Sequence, residues 1–159
     1  MVFYNKNKPE SSDEIVLPDN EIYKTHRDLI VSDIKNARKM ASKEYTIKSY
    51  DNLTLYGKYF ESFQNAPIEI MFHGYRGSGE RDLSTGIRRA KACGRNVLIV
   101  DQRSHGKSEG HTISFGIKER YDCISWINFV IQEFGSDVEI ILTGISMGAA
   151  TVMMASNLD

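Results

Sequence analysis

Five residues constrain this chain more than any others: Gly144-Ile145-Ser146-Met147-Gly148. They stand between an apolar run, Val138 to Leu142, and a run of helix formers, Ala149 to Met154. The first reads as a short buried strand and the second as the start of a helix. A strand that becomes a helix in so few residues needs a sharp bend. The bend strains the backbone of Ser146 and lifts its hydroxyl clear. It also presses the helix against a neighbouring strand, which small residues at 144 and 148 permit. A chain holding this turn is expected to be built from strands that feed helices, an α/β arrangement.

The rest of the chain repeats that rhythm. Ile68 to Phe72 and Asn96 to Val100 read as apolar strands, the second buried on both faces. Leu83, Ile87, Ala90 and Cys93 mark a helix that stops at Gly94. Ile117, Tyr121, Ile124, Ile131 and Phe134 mark another, ended by Gly135. Before the first of these strands, Tyr45 to Ser49 and Leu53 to Phe60 flank the turn signal Asp51-Asn52 and predict an antiparallel hairpin. Residues 20–42 predict one amphipathic helix capped by Asp19. The organisation expected is a flexible arm over 1–18, a helical extension over 19–42, and an α/β core over 43–159.

Composition narrows the function. The 159 residues are 41% hydrophobic and 26% charged, with net charge −1. That is enough apolar material to bury a core. Near-zero charge argues against nucleic acid and anionic membranes as partners. The longest apolar runs fall far short of the roughly 20 residues that span a bilayer. An N-terminus without an apolar signal segment makes the cytoplasm the expected compartment. Cys93 and Cys123 have no paired spacing and read as buried, reduced thiols.

Three loops follow the three parallel strands, and ligands in such sheets bind at that edge. The Gly-x-Ser-x-Gly turn, in its strand-to-helix context, reads as a nucleophile elbow carrying Ser146. The second loop, His73-Gly74-Tyr75-Arg76-Gly77-Ser78, has glycines that let it bend toward a substrate. Backbone N–H groups of Tyr75 and Met147 are the candidate oxyanion donors. In the third loop, Asp101 to Ser108, Asp101 and Arg103 read as residues that fix the loop rather than react. Phosphate-loop and dinucleotide patterns fail on spacing, and no cluster has metal-ligand spacing. Residues 76–109 carry eight Lys/Arg against four Asp/Glu, which reads as a solvated helix face.

With hairpin, His73-Gly74-Tyr75, Asp101-Gln102-Arg103-Ser104-His105-Gly106-Lys107-Ser108 and Gly144 to Gly148 in that order, the chain resembles the α/β-hydrolase superfamily, esterase-like or serine-aminopeptidase-like members in particular. The resemblance covers roughly residues 43–156. It implies strands ordered 1-2-4-3-5-6-7-8 and a Ser, acid, His triad in chain order. It implies Ser146 as nucleophile and Tyr75 and Met147 as oxyanion donors. His73, Gly74, Gly144, Gly148, Asp101 and Arg103 would shape the site. The implied substrate is a small ester, thioester or amide, with no cofactor. It also places the two cysteine-bearing helices on opposite faces of the sheet.

The family's acid and His follow later strands, so the expectation is an N-terminal part of such a fold, inactive alone. Its last strand would be an open edge, completed by the missing C-terminal half or by self-association. The alternative is a non-catalytic remnant or interaction module that uses that edge.

Overall fold

Largely apolar runs of five or six residues form the three parallel strands of the sheet, an alternating hairpin adds two more, and the amphipathic stretches between them form its helical layers. The computed structural model describes Phe3–Tyr4 and residues 15–158. In chain order its elements are β1 (Phe3–Tyr4), α1 (Glu21–Thr25), α2 (Arg27–Lys39), β2 (Lys43–Lys48), β3 (Thr54–Phe60), β4 (Ile68–Phe72), α3 (Gly79–Ala92), β5 (Asn96–Asp101), β6 (Thr112–Ile113), α4 (Glu119–Phe134), β7 (Ile140–Gly144) and α5 (Met147–Ala155). Five strands make one sheet in the order β2-β3-β5-β4-β7. The β2–β3 and β3–β5 pairs are antiparallel, and β4 runs parallel to both β5 and β7. Renumbered within the sheet, that order is 1-2-4-3-5, as the resemblance implied. The α/β architecture expected from the strand-to-helix rhythm is the one found.

Strand alternation divides the core between the two faces. Ile70, Phe72, Leu98 and Val100 pack with Cys123, Trp126 and Val130 of α4 and Ala155 of α5. Met71, Val97 and Ile99 pack with Leu83, Ile87 and Ala90 of α3 and Ala37 of α2. Each Val, Leu, Ile, Phe or Met among them contributes roughly 1.5–3 kcal/mol when fully buried. The helices that carry Cys93 and Cys123 thus lie on opposite faces. At Gly57 a Cβ would stand 2.8 Å from the Trp126 ring, so the missing side chain is what lets the indole lie on β3.

Several expectations need correction. The helix expected over 20–42 is two, broken at His26, because Lys24 to Asp28 offer no apolar side chain to hold them down. Its cap is Asn20, whose Oδ1 accepts the Tyr23 N–H at 3.1 Å, while Asp19 pairs with Lys24. Cys93 is exposed, since it falls at the C-cap of α3; Cys123 is buried as expected. On α4 the buried face is Glu119, Asp122, Cys123, Trp126 and Val130, and Ile117 and Ile131 are exposed. Two carboxylates on that face disguised it in the sequence. The last strand starts two residues later than expected and is half-buried, because among the described residues it pairs only with β4. Within the arm over 1–18, Phe3–Tyr4 pair antiparallel with Thr112–Ile113, and residues 1–2 and 5–14 lie outside the described residues. Among the described residues no helix is long and apolar enough to cross a membrane.

Candidate functional site

The turn after β7 has the strain its glycines imply. Ser146 sits at φ +53°, ψ −114°, a conformation that L-residues rarely adopt, and it is exposed. Close packing holds it there. A Cβ on Gly148 would stand 2.6 Å from the Phe72 carbonyl carbon and 2.8 Å from the His73 carbonyl oxygen. A Cβ on Gly144 would overlap the Gly148 carbonyl. The start of α5 therefore rests on the end of β4, backbone to backbone, and the Ile145 N–H donates to Phe72 O at 3.0 Å. Met147 is buried and opens α5. Its N–H is among those that a helix start leaves without an intrahelical acceptor. The positive end of α5 points at the serine.

The loop after β4 comes to the same point. A Cβ built on Gly74 would be 3.6 Å from Ser146 Cβ and 3.6 Å from Ile145 O, so the loop passes the serine with room for about one methyl group between them. The Gly77 N–H donates to Gly74 O at 3.1 Å and closes a β-turn with Tyr75 and Arg76 at its tip. The Tyr75 ring lies 5.1 Å from that of Phe115. His73, at the loop's root, is buried. Its Nδ1 donates to Gly74 O at 2.7 Å and its Nε2 accepts the Gln102 N–H at 3.0 Å. Burial, reinforced by the neighbouring His105, pushes its pKa down to about 4, so it is neutral at pH 7.

Gln102 is the residue the sequence reading missed. It is buried, its Nε2 donates to His73 O at 2.6 Å, and its Oε1 accepts from Thr151 Oγ1 at 2.8 Å. One amide thus joins the β4 loop, the β5 loop and α5. The only signal available was its place within the Asp101-to-Ser108 motif.

Asp101 and Arg103 fix loops, and they do so in different places. Asp101 Oδ1 accepts the Gly79 N–H and Oδ2 the Lys107 N–H, both at 3.0 Å. Arg103 turns the other way. It makes paired hydrogen bonds to Asp122 on α4 at 2.6 and 2.7 Å and to Asp51 of the β2–β3 turn at 3.0 and 2.9 Å. Burial pushes the Asp122 carboxyl up to about 6, against the pull of Arg103. His105 is buried against His73, with ring centroids 4.8 Å apart. Its Nε2 accepts the Arg76 N–H at 3.2 Å and its Nδ1 lies 2.9 Å from Arg103 O.

The structure therefore gathers Ser146, Met147, Gly144, Gly148, His73, Gly74 and Tyr75 at the carboxyl edge of β4 and β7. Asp101, at the end of β5, supports the loops at that edge, whereas Arg103 ties α4 to the β2–β3 turn and does not join the group. Among the described residues no three His, Cys, Asp or Glu side chains come together where they would hold a metal ion.

Comparison with known proteins agrees with this architecture. Residues 64–158 match the family described as "Serine aminopeptidase, S33". The thiohydrolase aneE of Aspergillus aculeatus is 28% identical over 128 residues, 79% of this chain and 40% of that protein. The polyketide transferase ATR5 of Stachybotrys chlorohalonatus is 29% identical over 124 residues, 76% of this chain and 41% of that protein. An esterase structure from Pyrococcus furiosus superposes with a TM-score of 0.67 at 25% identity, covering 96% of this chain and 55% of that one. The chain spans about two fifths of the length of the curated relatives it matches. With the sheet order, the strained strand-to-helix turn and a family match over more than half its length, the chain belongs to the serine aminopeptidase family of the α/β-hydrolase superfamily.

Proposed function

We propose that Ser146 is the nucleophile of a hydrolase that transfers an acyl group from an ester, thioester or amide to water. The observation that supports this most is the pairing of an exposed, strained Ser146 at the start of α5 with the Gly74 loop close beside it. Two relatives carry names that point the same way, a thiohydrolase and an esterase, and a third is a polyketide transferase.

In this reading Ser146 Oγ attacks the acyl carbon while its proton passes to a general base. The carbonyl electron pair moves onto oxygen, and the N–H groups of Tyr75 and Met147 stabilise the oxyanion. Each such donor contributes about 2.7–4 kcal/mol in comparable sites. Collapse of the intermediate expels the leaving group, which takes up the proton. Water then attacks the acyl-enzyme by the same steps and restores the serine. The base is neither His73 nor His105, since backbone groups engage both ring nitrogens of each. The reading assigns the acid and the histidine to the length of the relatives that this chain does not span.

Fluorophosphonate labelling in extracts of cells that make the protein tests the proposal. The adduct is expected on Ser146, read by peptide mass spectrometry, and absent in Ser146→Ala. A folded protein left unlabelled, while other serine hydrolases in the same extract react, refutes it.

A further inference from the structure

The basic residues over 76–109 lie largely on solvated faces, and most of them have carboxylate partners. Six of the eight are paired with carboxylates: Arg81 with Asp82, Arg88 with Asp33, Arg89 and Arg95 with Glu69, Arg103 with Asp51 and Asp122, and Lys107 with Glu44. Among the described residues, Lys91 and Arg76 have no ion pair. Lys91 lies in the last turn of α3, roughly 18 Å along the helix from its start at the site loop. Arg76 is in the site loop itself.

Its setting is specific. Arg76 is the third residue of the Gly74–Gly77 turn and has φ +53°, where glycine or asparagine is the ordinary choice. Both its backbone groups are held: the N–H donates to His105 Nε2, and the carbonyl accepts from Arg81 Nη2 at 3.1 Å. The loop thus keeps an arginine in a conformation that disfavours it, with its side chain exposed. The guanidinium carbon sits 5.2 Å from the centre of the Tyr75 ring, which is stacked near Phe115. That platform restricts the guanidinium, which among the described residues has no carboxylate partner. Asp82 pairs with Arg81 through Oδ1, its Oδ2 lies beside Gly77 and near Gly74, and it makes no ion pair with Arg76. Gly74, two residues earlier, lies beside Ser146, which a Cβ there would approach to 3.6 Å.

We propose that Arg76 is a specificity-determining residue that binds a carboxylate carried by the substrate whose scissile carbonyl lies at Ser146. The substrate class is an anionic ester or thioester. The reaction named here rests on the Ser146 reading, whereas the anion site rests on Arg76, Tyr75 and the turn.

The test compares p-nitrophenyl hydrogen glutarate with p-nitrophenyl valerate, using protein expressed from its whole reading frame. A third substrate, 4-carboxyphenyl valerate, moves the carboxylate to the leaving group. Arg76→Gln is expected to lower the charged-to-neutral ratio of kcat/KM about tenfold, mainly through KM, for whichever arm Arg76 serves. Arg76→Glu is expected to lower it further, and Arg76→Lys to recover part of it. A ratio unchanged in both arms, or equal losses on charged and neutral substrates, overturns the proposal. Ser146→Ala separates the two readings. If turnover survives it, the nucleophile assignment fails. Calorimetric binding of monomethyl glutarate then decides on Arg76 without turnover, with about tenfold weaker binding expected for Arg76→Gln and equal binding refuting the site.

Discussion

Replacing Gly148 with alanine adds one methyl group at the place where α5 rests on β4. That Cβ would lie 2.6 Å from the Phe72 carbonyl carbon, 2.8 Å from His73 O and closer still to Phe72 O. These are backbone atoms of a central strand that is hydrogen-bonded to β5 and β7, so no rotamer change relieves the overlap. Tolerable contact begins near 3.4 Å, so α5 must retreat by about 0.8 Å or more. Overpacking of this kind costs about 1–3 kcal/mol. The retreat carries Ser146 away from the Gly74 loop, and a misplacement near 1 Å costs on the order of 100-fold in rate. Urea unfolding should therefore show a lower midpoint, and fluorophosphonate labelling of Ser146 should slow by about two orders of magnitude. Gly94→Ala is the control. Gly94 has φ +72° but nothing within 4 Å of its Cβ position, so only the roughly 1 kcal/mol of left-handed strain is expected, with labelling unchanged. Equal labelling rates for Gly148→Ala and Gly94→Ala would refute the packing argument.

Two further predictions concern the support of the site. His73 is buried neutral with a pKa of about 4, whereas an unfolded histidine titrates near 6.5. Between those values the unfolded chain binds a proton that the folded chain refuses. Its contribution is intact above about pH 6.5 and declines by about 3 kcal/mol as pH falls to 4. Urea unfolding across that range should show a steeper acid loss in the wild type than in His73→Gln, and identical slopes refute it. Arg103→Met leaves Asp122 buried without its partner, which should destabilise the fold by about 3–5 kcal/mol. Adding Asp122→Leu should recover part of that loss, and a double variant no more stable than Arg103→Met contradicts the pairing argument.

What could be read from the sequence, and what could not, divides along physical lines. The strands and the turn at Ser146 were legible because their causes are local. Continuous apolar runs report burial on two faces, and glycines two residues either side of a serine report close approach. The supporting network was not legible, because it depends on partners far apart in the chain. Gln102 meets His73 and Thr151, separated from it by 29 and 49 residues, and nothing local distinguishes it from a solvated glutamine. The face of α4 was misread for a related reason. Asp122 is buried because Arg103 reaches it from 19 residues away, and Glu119 because its carboxylate caps the Ser114 and Gly116 N–H groups. A periodicity argument counts both as exposed.

The same division separates how the serine is positioned from how it would be activated. Ser146 is placed by backbone contacts between α5 and β4 and by the buried chain His73, Gln102, Thr151. None of these groups is available to take its proton: His73 is engaged at both nitrogens, and Gln102 and Thr151 do not titrate at neutral pH. Geometry is therefore set without the base. On the proposed reading, perturbing Gly148 moves Ser146 whatever deprotonates it, and losing the base leaves the strained turn as it stands. The strain at φ +53° is then a property of the sheet's packing, and the start of α5 is already aligned with the charge that would develop at Ser146 in the proposed reaction.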